Sequence, residues 1–125
     1  MAKHILLVDD NEDFRSAARE FFSSKGYRVT AAPDGQAALE LADQDPPDII
    51  LLDVMMPRMD GWETLQALQD NEQTADIPVL MLTAVRGSES VKKSFARGSV
   101  WYYSKPITDH HDLLLVIRSI LDEKG

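Results

Sequence analysis

The sequence has no cysteine, which removes disulfides, thiolate nucleophiles and cysteine-ligated zinc from consideration. Basic residues are few. Against 21 Asp and Glu there are 13 Lys and Arg, leaving a net charge of −8. That field repels phosphate backbones, so direct nucleic-acid binding is not expected, whereas a bound cation or a positively charged partner is. Long apolar runs are also missing. None approaches the ~20 residues of a membrane helix, and the run Ile5–Val8 is too short for a signal peptide. No membrane partner and a cytoplasmic location are the expectations. With no linker or repeat, and 44% hydrophobic residues over 125 positions, a single domain spanning 1–125 is expected.

What the sequence does contain is alternation. Five short apolar runs, Ile5–Val8, Tyr27–Ala31, Ile49–Leu52, Ile77–Leu82 and Val100–Tyr103, suggest strands covered on both faces. Between them lie helical patterns. Phe14, Ala17, Ala18, Phe21 and Phe22 share one helical face, and Gly26 is placed to end that helix in a left-handed conformation. Asp34-Gly35 opens Ala37–Ala42, and Asp60 or Gly61 opens Trp62–Leu68. Ser88 starts a predicted helix through Ala96 that Gly98 ends. Asp109 caps Leu113–Leu121. Five strands alternating with five helices over this length predict an open, doubly wound parallel sheet rather than a barrel.

Open α/β sheets bind their ligands beyond the carboxyl ends of the strands. Here those ends carry Asp9-Asp10, Asp53, Thr83 and Lys105. Carboxylates crowded together resist ionisation, and a hard divalent cation such as Mg²⁺ relieves that conflict through oxygen ligands. Lys105 adds a second positive charge and Thr83 a hydrogen-bond donor. Carboxylate attack on phosphorus is established covalent chemistry, and phosphoryl transfer rests mainly on positioning and charge stabilisation. The combination points to metal-assisted phosphorylation of an aspartate.

The segments Asp9-Asp10, Asp53-Val54-Met55-Met56-Pro57-Arg58-Met59-Asp60-Gly61, Pro78 to Ala84 and Lys105-Pro106 strongly resemble the receiver domain of two-component response regulators. The resemblance covers nearly the whole chain, in order. It implies a flavodoxin-like (βα)5 fold with strand order 2-1-3-4-5, and a phosphorylation-activated switch rather than a dedicated turnover enzyme. The implied donor is a sensor histidine kinase or phosphotransfer protein, and the implied receiver of the signal is a downstream protein or output domain. By the same resemblance Asp53 is the phosphoacceptor. Asp10, Asp53 and the Met55 carbonyl ligate Mg²⁺, Asp9 acts through metal-bound water, and Lys105 pairs with the phosphoryl group. Thr83 and the Tyr102 ring move inward after transfer, repacking the surface of the fourth helix, fifth strand and fifth helix. A cis bond before Pro106 is likewise implied.

Each residue also has a plainer reading in isolation. Asp9 and Asp10 could cap the first helix with Asn11, Asp53 could form a turn, and Thr83 could be a cap or core hydroxyl. Lys105 could be a loop lysine and Tyr102 strand core. Their joint occurrence at the ends of one sheet favours the site. His110-His111 read as exposed helix-start residues, because adjacent positions on a helix do not face one another. Two features depart from the family pattern. Ser99-Val100-Trp101 replaces the usual acidic residue or Ala, and Arg86 to Arg97 holds four basic residues and one acid. With the apolar run Leu113–Ile117, these suggest that Lys92, Lys93, Trp101 and part of the last helix form a partner or phosphorylation-dependent dimer surface. Met55 and Val85 offer no polar group to position water, so slow loss of the phosphoryl group is expected. A haloacid-dehalogenase-type phosphatase would need an acid at position 55. A flavodoxin-like cofactor carrier would need a phosphate-binding loop in place of Asp9 to Asp13. A non-phosphorylated adaptor remains the chief alternative. With no recognisable output domain after Lys124, the expectation is either a protein that acts alone by docking to targets or a fragment of a larger regulator or hybrid kinase.

Overall fold

The computed structural model describes residues 2–83, 100–105 and 107–124. The predicted helix Ser88–Ala96 lies outside them, as do Val85, Lys92, Lys93, Gly98 and Pro106. The apolar runs form β1 (His4–Val8), β2 (Arg28–Ala32), β3 (Ile49–Asp53), β4 (Val79–Thr83) and β5 (Val100–Ser104). All pair in parallel, in the order β2-β1-β3-β4-β5. Parallel neighbours need a crossover rather than a hairpin. The described helices are α1 (Glu12–Ser24), α2 (Gly35–Gln44), α3 (Gly61–Asp70) and α4 (His110–Lys124).

Every residue of the inner strands β1, β3 and β4 is buried, which is why their sequences run apolar without alternation. The pleat divides them between two cores. Ile5, Leu7, Ile49, Leu51, Leu80, Leu82, Trp101 and Tyr103 pack with Ala18 and Phe22 of α1 and with Leu113, Leu114 and Ile117 of α4. Leu6, Val8, Ile50, Leu52, Val79, Met81 and Val100 pack with Ala38 and Ala42 of α2 and with Leu65 and Leu68 of α3. At about 25 cal/mol per Å² of apolar surface, these two layers are the main favourable term in folding.

The helix starts are chemically defined. Asn11 Oδ1 accepts from Phe14 N at 2.9 Å and Asp34 Oδ1 from Ala37 N at 2.8 Å. Asp60 and Glu63 form a reciprocal capping box, at 2.9 and 3.0 Å. Asp109 Oδ1 accepts from His111 N and Asp112 N, at 2.9 and 3.3 Å. Beyond α1, Gly26 has φ +93°, the left-handed conformation expected of it. The Tyr103 hydroxyl donates to Asp112, tying β5 to α4. Burial, and then Asp112, push the phenol up to about 12.

One plainer reading falls away and two expectations need correction. Asp9 does not cap α1; Asn11 does, and Asp9 Oδ1 instead accepts the Asn11 N–H at 2.9 Å. Trp101 is not part of an open surface. It is 5% exposed, because α4 covers this side of the edge strand. Of the run Leu113–Ile117, only Leu115 is exposed. His111 is exposed as expected, but His110 is half-buried, its ring stacked 6.1 Å from Phe14 and tilted 5.6 Å from Phe21.

Candidate functional site

Because β1 and β3 are neighbours, the residues at their carboxyl ends lie side by side. Asp9 continues the β1 ladder, its N–H donating to Ala32 O at 3.2 Å. Arg15 Nη1 holds the Asp9 carbonyl at 2.8 Å. Asp9 is fully buried, Asp53 is 3% exposed and Asp10 is exposed. One carboxylate oxygen from each of the three lies within 4.8 Å of the others.

Lys105 reaches the cluster from the end of β5, where its N–H donates to Thr83 O at 2.7 Å. Its ammonium stands 3.0 Å from Asp9 Oδ2 and 3.4 Å from Asp53 Oδ1. The Phe14 ring lies beneath it, 5.5 Å from Nζ to centroid. Burial favours a neutral lysine, but the Asp9 hydrogen bond and the Asp9 and Asp53 charges outweigh it. The lysine pKa is therefore raised and the side chain stays charged. Asp53 is also raised. Burial and the Asp9 charge oppose its ionisation, and Lys105 and the Met55 N–H (3.3 Å) offset them only in part. Charge is thus under-compensated at this point. Three hard oxygen donors, one of them open to solvent, suit a small divalent cation.

The loop after β3 is held by an unusually close approach. Gly61 N donates to Val54 O at 2.9 Å, and a Cβ at Gly61 would come within 2.4 Å of Asp53 O. Only glycine allows α3 to start against the Asp53 backbone. Arg58 in the same loop has φ +66°, uncommon for a non-glycine residue. Met55 projects outward, 72% exposed.

The remaining predicted residues fall on the alternate strand positions. Asp9, Asp53 and Lys105 follow the alternation of the α1/α4 face. Thr83, which is buried, follows that of the α2/α3 face. Tyr102 shares this second face, half-buried and opposite Met81 in the β4–β5 register. Its ring lies 6.0 Å from that of Trp62, inclined at 49°. The structure therefore brings Asp9, Asp10, Asp53 and Lys105 together, with Thr83 at the end of the neighbouring β4 and Tyr102 on β5. Sequence reasoning missed four supporting residues: Phe14 under the lysine, Arg15 on the Asp9 carbonyl, Gly61 against Asp53, and Trp62 against Tyr102. Only the Asp60-Gly61 helix start gave any signal, and it did not announce the close approach.

A doubly wound α/β sheet with an acidic, lysine-bearing pocket at its carboxyl edge is the class these features define. The chain belongs to the response regulator receiver domain family, which matches residues 5–118. It is 45% identical over 118 residues to the transcriptional regulatory protein CpxR of Escherichia coli (strain K12), covering 94% of this chain and 48% of that protein. It is 40% identical over 109 residues to the response regulator PleD of Caulobacter vibrioides, covering 87% of this chain and 24% of that protein. The chain thus spans half or less of the length of these relatives. Among solved structures it resembles the Vibrio cholerae chemotaxis protein CheY4, with TM-score 0.81, 29% identity and coverage of 96% and 99% of the two chains. It also resembles the receiver domain of the Francisella response regulator 1452, with TM-score 0.83, 28% identity and coverage of 98% and 99%. Receiver domains of this family are signalling switches of two-component systems, not dedicated enzymes. Among the described residues no helix is long and apolar enough to cross a membrane.

Proposed function

We propose that this chain works as one receiver unit in the cytoplasm, accepting a phosphoryl group on Asp53 from a phosphohistidine of a sensor kinase or phosphotransfer protein. The observation that carries this reading is the placement of the buried Asp53 carboxylate between the Lys105 ammonium and two further carboxylates. An Asp53 oxygen attacks phosphorus, and the P–O bond forms as the P–N bond breaks. The electron pair leaves with the nitrogen, and a donor imidazole protonated on its other nitrogen departs neutral. Lys105, kept charged by its neighbours, meets the phosphoryl oxygens and releases its hold on Asp53. Asp10, Asp53 and the Met55 carbonyl would hold Mg²⁺ directly, and Asp9 through water. When bound, the cation neutralises charge between the carboxylates and the incoming phosphoryl group.

Once the group is attached, Thr83 and Tyr102 shift toward it and bias an existing equilibrium between two arrangements. The readers of that shift are a downstream protein, an output domain or a second copy of the chain. Lys92, Lys93 and the exposed Leu115 are the candidate contacts. The test is intact mass after incubation with Mg²⁺ and acetyl phosphate, beside Asp53→Asn. One base-labile phosphoryl group, absent from the variant, is expected. Mass gain that persists in Asp53→Asn would overturn the assignment, and no gain from either acetyl phosphate or a phosphohistidine protein would favour the adaptor.

A further inference from the structure

We propose that Trp62 is a positioning residue for Tyr102, linking the backbone of Asp53 to the ring whose movement signals phosphorylation. This rests on the reading of Asp53 as phosphoacceptor and Tyr102 as the moving aromatic, and adds a residue to it. Two fixed contacts hold the base of Trp62. The preceding Gly61 meets Val54 O through its N–H, and has no room for a Cβ beside Asp53 O. The capping box of Asp60 and Glu63 brackets the same turn. The Trp62 backbone therefore cannot drift independently of the strand end that carries the acceptor.

Its indole, in contrast, stands partly in solvent. Trp62 is 47% exposed, far more than a tryptophan serving as core, and the residue faces Tyr102 at 6.0 Å with the rings inclined at 49°. That separation and tilt lie in the range of favourable aromatic pairs. An open pocket of about 410 Å³, lined by Val54, Met55, Met56, Asp60 and Trp62, borders the residue and the loop that follows Asp53. A fixed base, a half-exposed indole and a half-buried tyrosine paired with it make Trp62 the neighbour that sets where the Tyr102 ring rests. Any displacement of the tyrosine ring changes the surroundings of the indole, and removal of the indole changes the resting position of the tyrosine.

The chain has two tryptophans, so 5-fluorotryptophan labelling gives two fluorine resonances, assigned by the loss of one in Trp62→Phe. With acetyl phosphate and Mg²⁺, and phosphorylation followed by intact mass, the Trp62 resonance is expected to shift in proportion to the phosphorylated fraction. In Tyr102→Leu the same mass gain is expected and the shift is lost. With 3-fluorotyrosine, Trp62→Ala moves the Tyr102 resonance before any phosphodonor is added, and Trp62→Phe restores most of its position. Full phosphorylation with an unmoved Trp62 resonance would overturn the proposal, as would an equal shift in Tyr102→Leu. Absence of mass gain from either donor class would instead overturn the phosphoacceptor reading, and the proposal with it.

Discussion

Gly61 carries a constraint out of proportion to its size. A methyl group there would sit 2.4 Å from Asp53 O and 2.6 Å from Val54 Cα, and both are backbone atoms that cannot swing aside. Gly61→Ala is expected to cost about 1–3 kcal/mol, as overpacking does, and to slow phosphoryl acceptance by displacing Asp53. Urea unfolding and the rate of mass gain check the two effects separately; a variant as stable and as reactive as the parent would refute the steric account. Met55, two residues beyond Asp53, bears on the proposed acceptor differently. It is exposed and offers no hydrogen bond to an attacking water, so Met55→Asn is expected to shorten the phosphorylated lifetime severalfold in a mass time course. The cluster itself was legible in the sequence, because Asp9-Asp10 and Asp53 stand immediately after apolar runs and Lys105 follows one by a single serine. What was not legible is everything that depends on distance. No spacing rule shows that Phe14 lies beneath an ammonium 91 positions away in the chain (105 − 14 = 91), or that Asp9 turns inward to Lys105 rather than capping the helix that follows it.

Among the elements, the inner strands were the easiest to read, since burial on both faces leaves them uniformly apolar. The edge strand β5 was harder. Val100-Trp101-Tyr102-Tyr103 sends alternate rings to opposite faces, and the sequence does not show that α4 lies over Trp101. A large aromatic on an edge strand looks available for a partner until the covering helix is in place. α3 is the element whose start matters most to the site, because its first turn touches both the acceptor backbone and the Tyr102 ring. Asp60→Ala removes the cap and half of the reciprocal box, an expected loss of about 1 kcal/mol. Trp62 should then become more mobile, so its fluorescence anisotropy should fall before global unfolding begins. Anisotropy unchanged alongside a lowered Tm would mean that the cap stabilises the helix without steering the indole.

Over the whole molecule, the two ends of the sheet answer to different chemistry. At the amino end, the His4 side chain is buried with Nε2 2.8 Å from Thr30 Oγ1, and the His4 backbone N–H donates to Asp48 Oδ2 at 2.7 Å. Burial, and then the Arg28 charge, hold its imidazole below the ordinary 6.5, with Asp45 and Asp48 pulling weakly the other way. The unfolded chain therefore binds a proton first as pH falls. This contribution to stability is full above 6.5 and is lost progressively as pH drops from there toward the folded value. Thermal unfolding at about pH 7.5 and about pH 5.5 should show a larger fall in Tm for the parent than for His4→Gln; equal falls would remove His4 from the account. At the carboxyl end, the alternation of the strands has a consequence for how such a protein can diversify. Asp53 and Lys105 follow the alternation of one side of the sheet, while Thr83 and Tyr102 follow that of the other. On the proposed reading, substitutions around Tyr102 that retune how loudly the message is broadcast can accumulate while the chemistry at Asp53 and Lys105 is left alone, much as an amplifier's gain is set apart from its input.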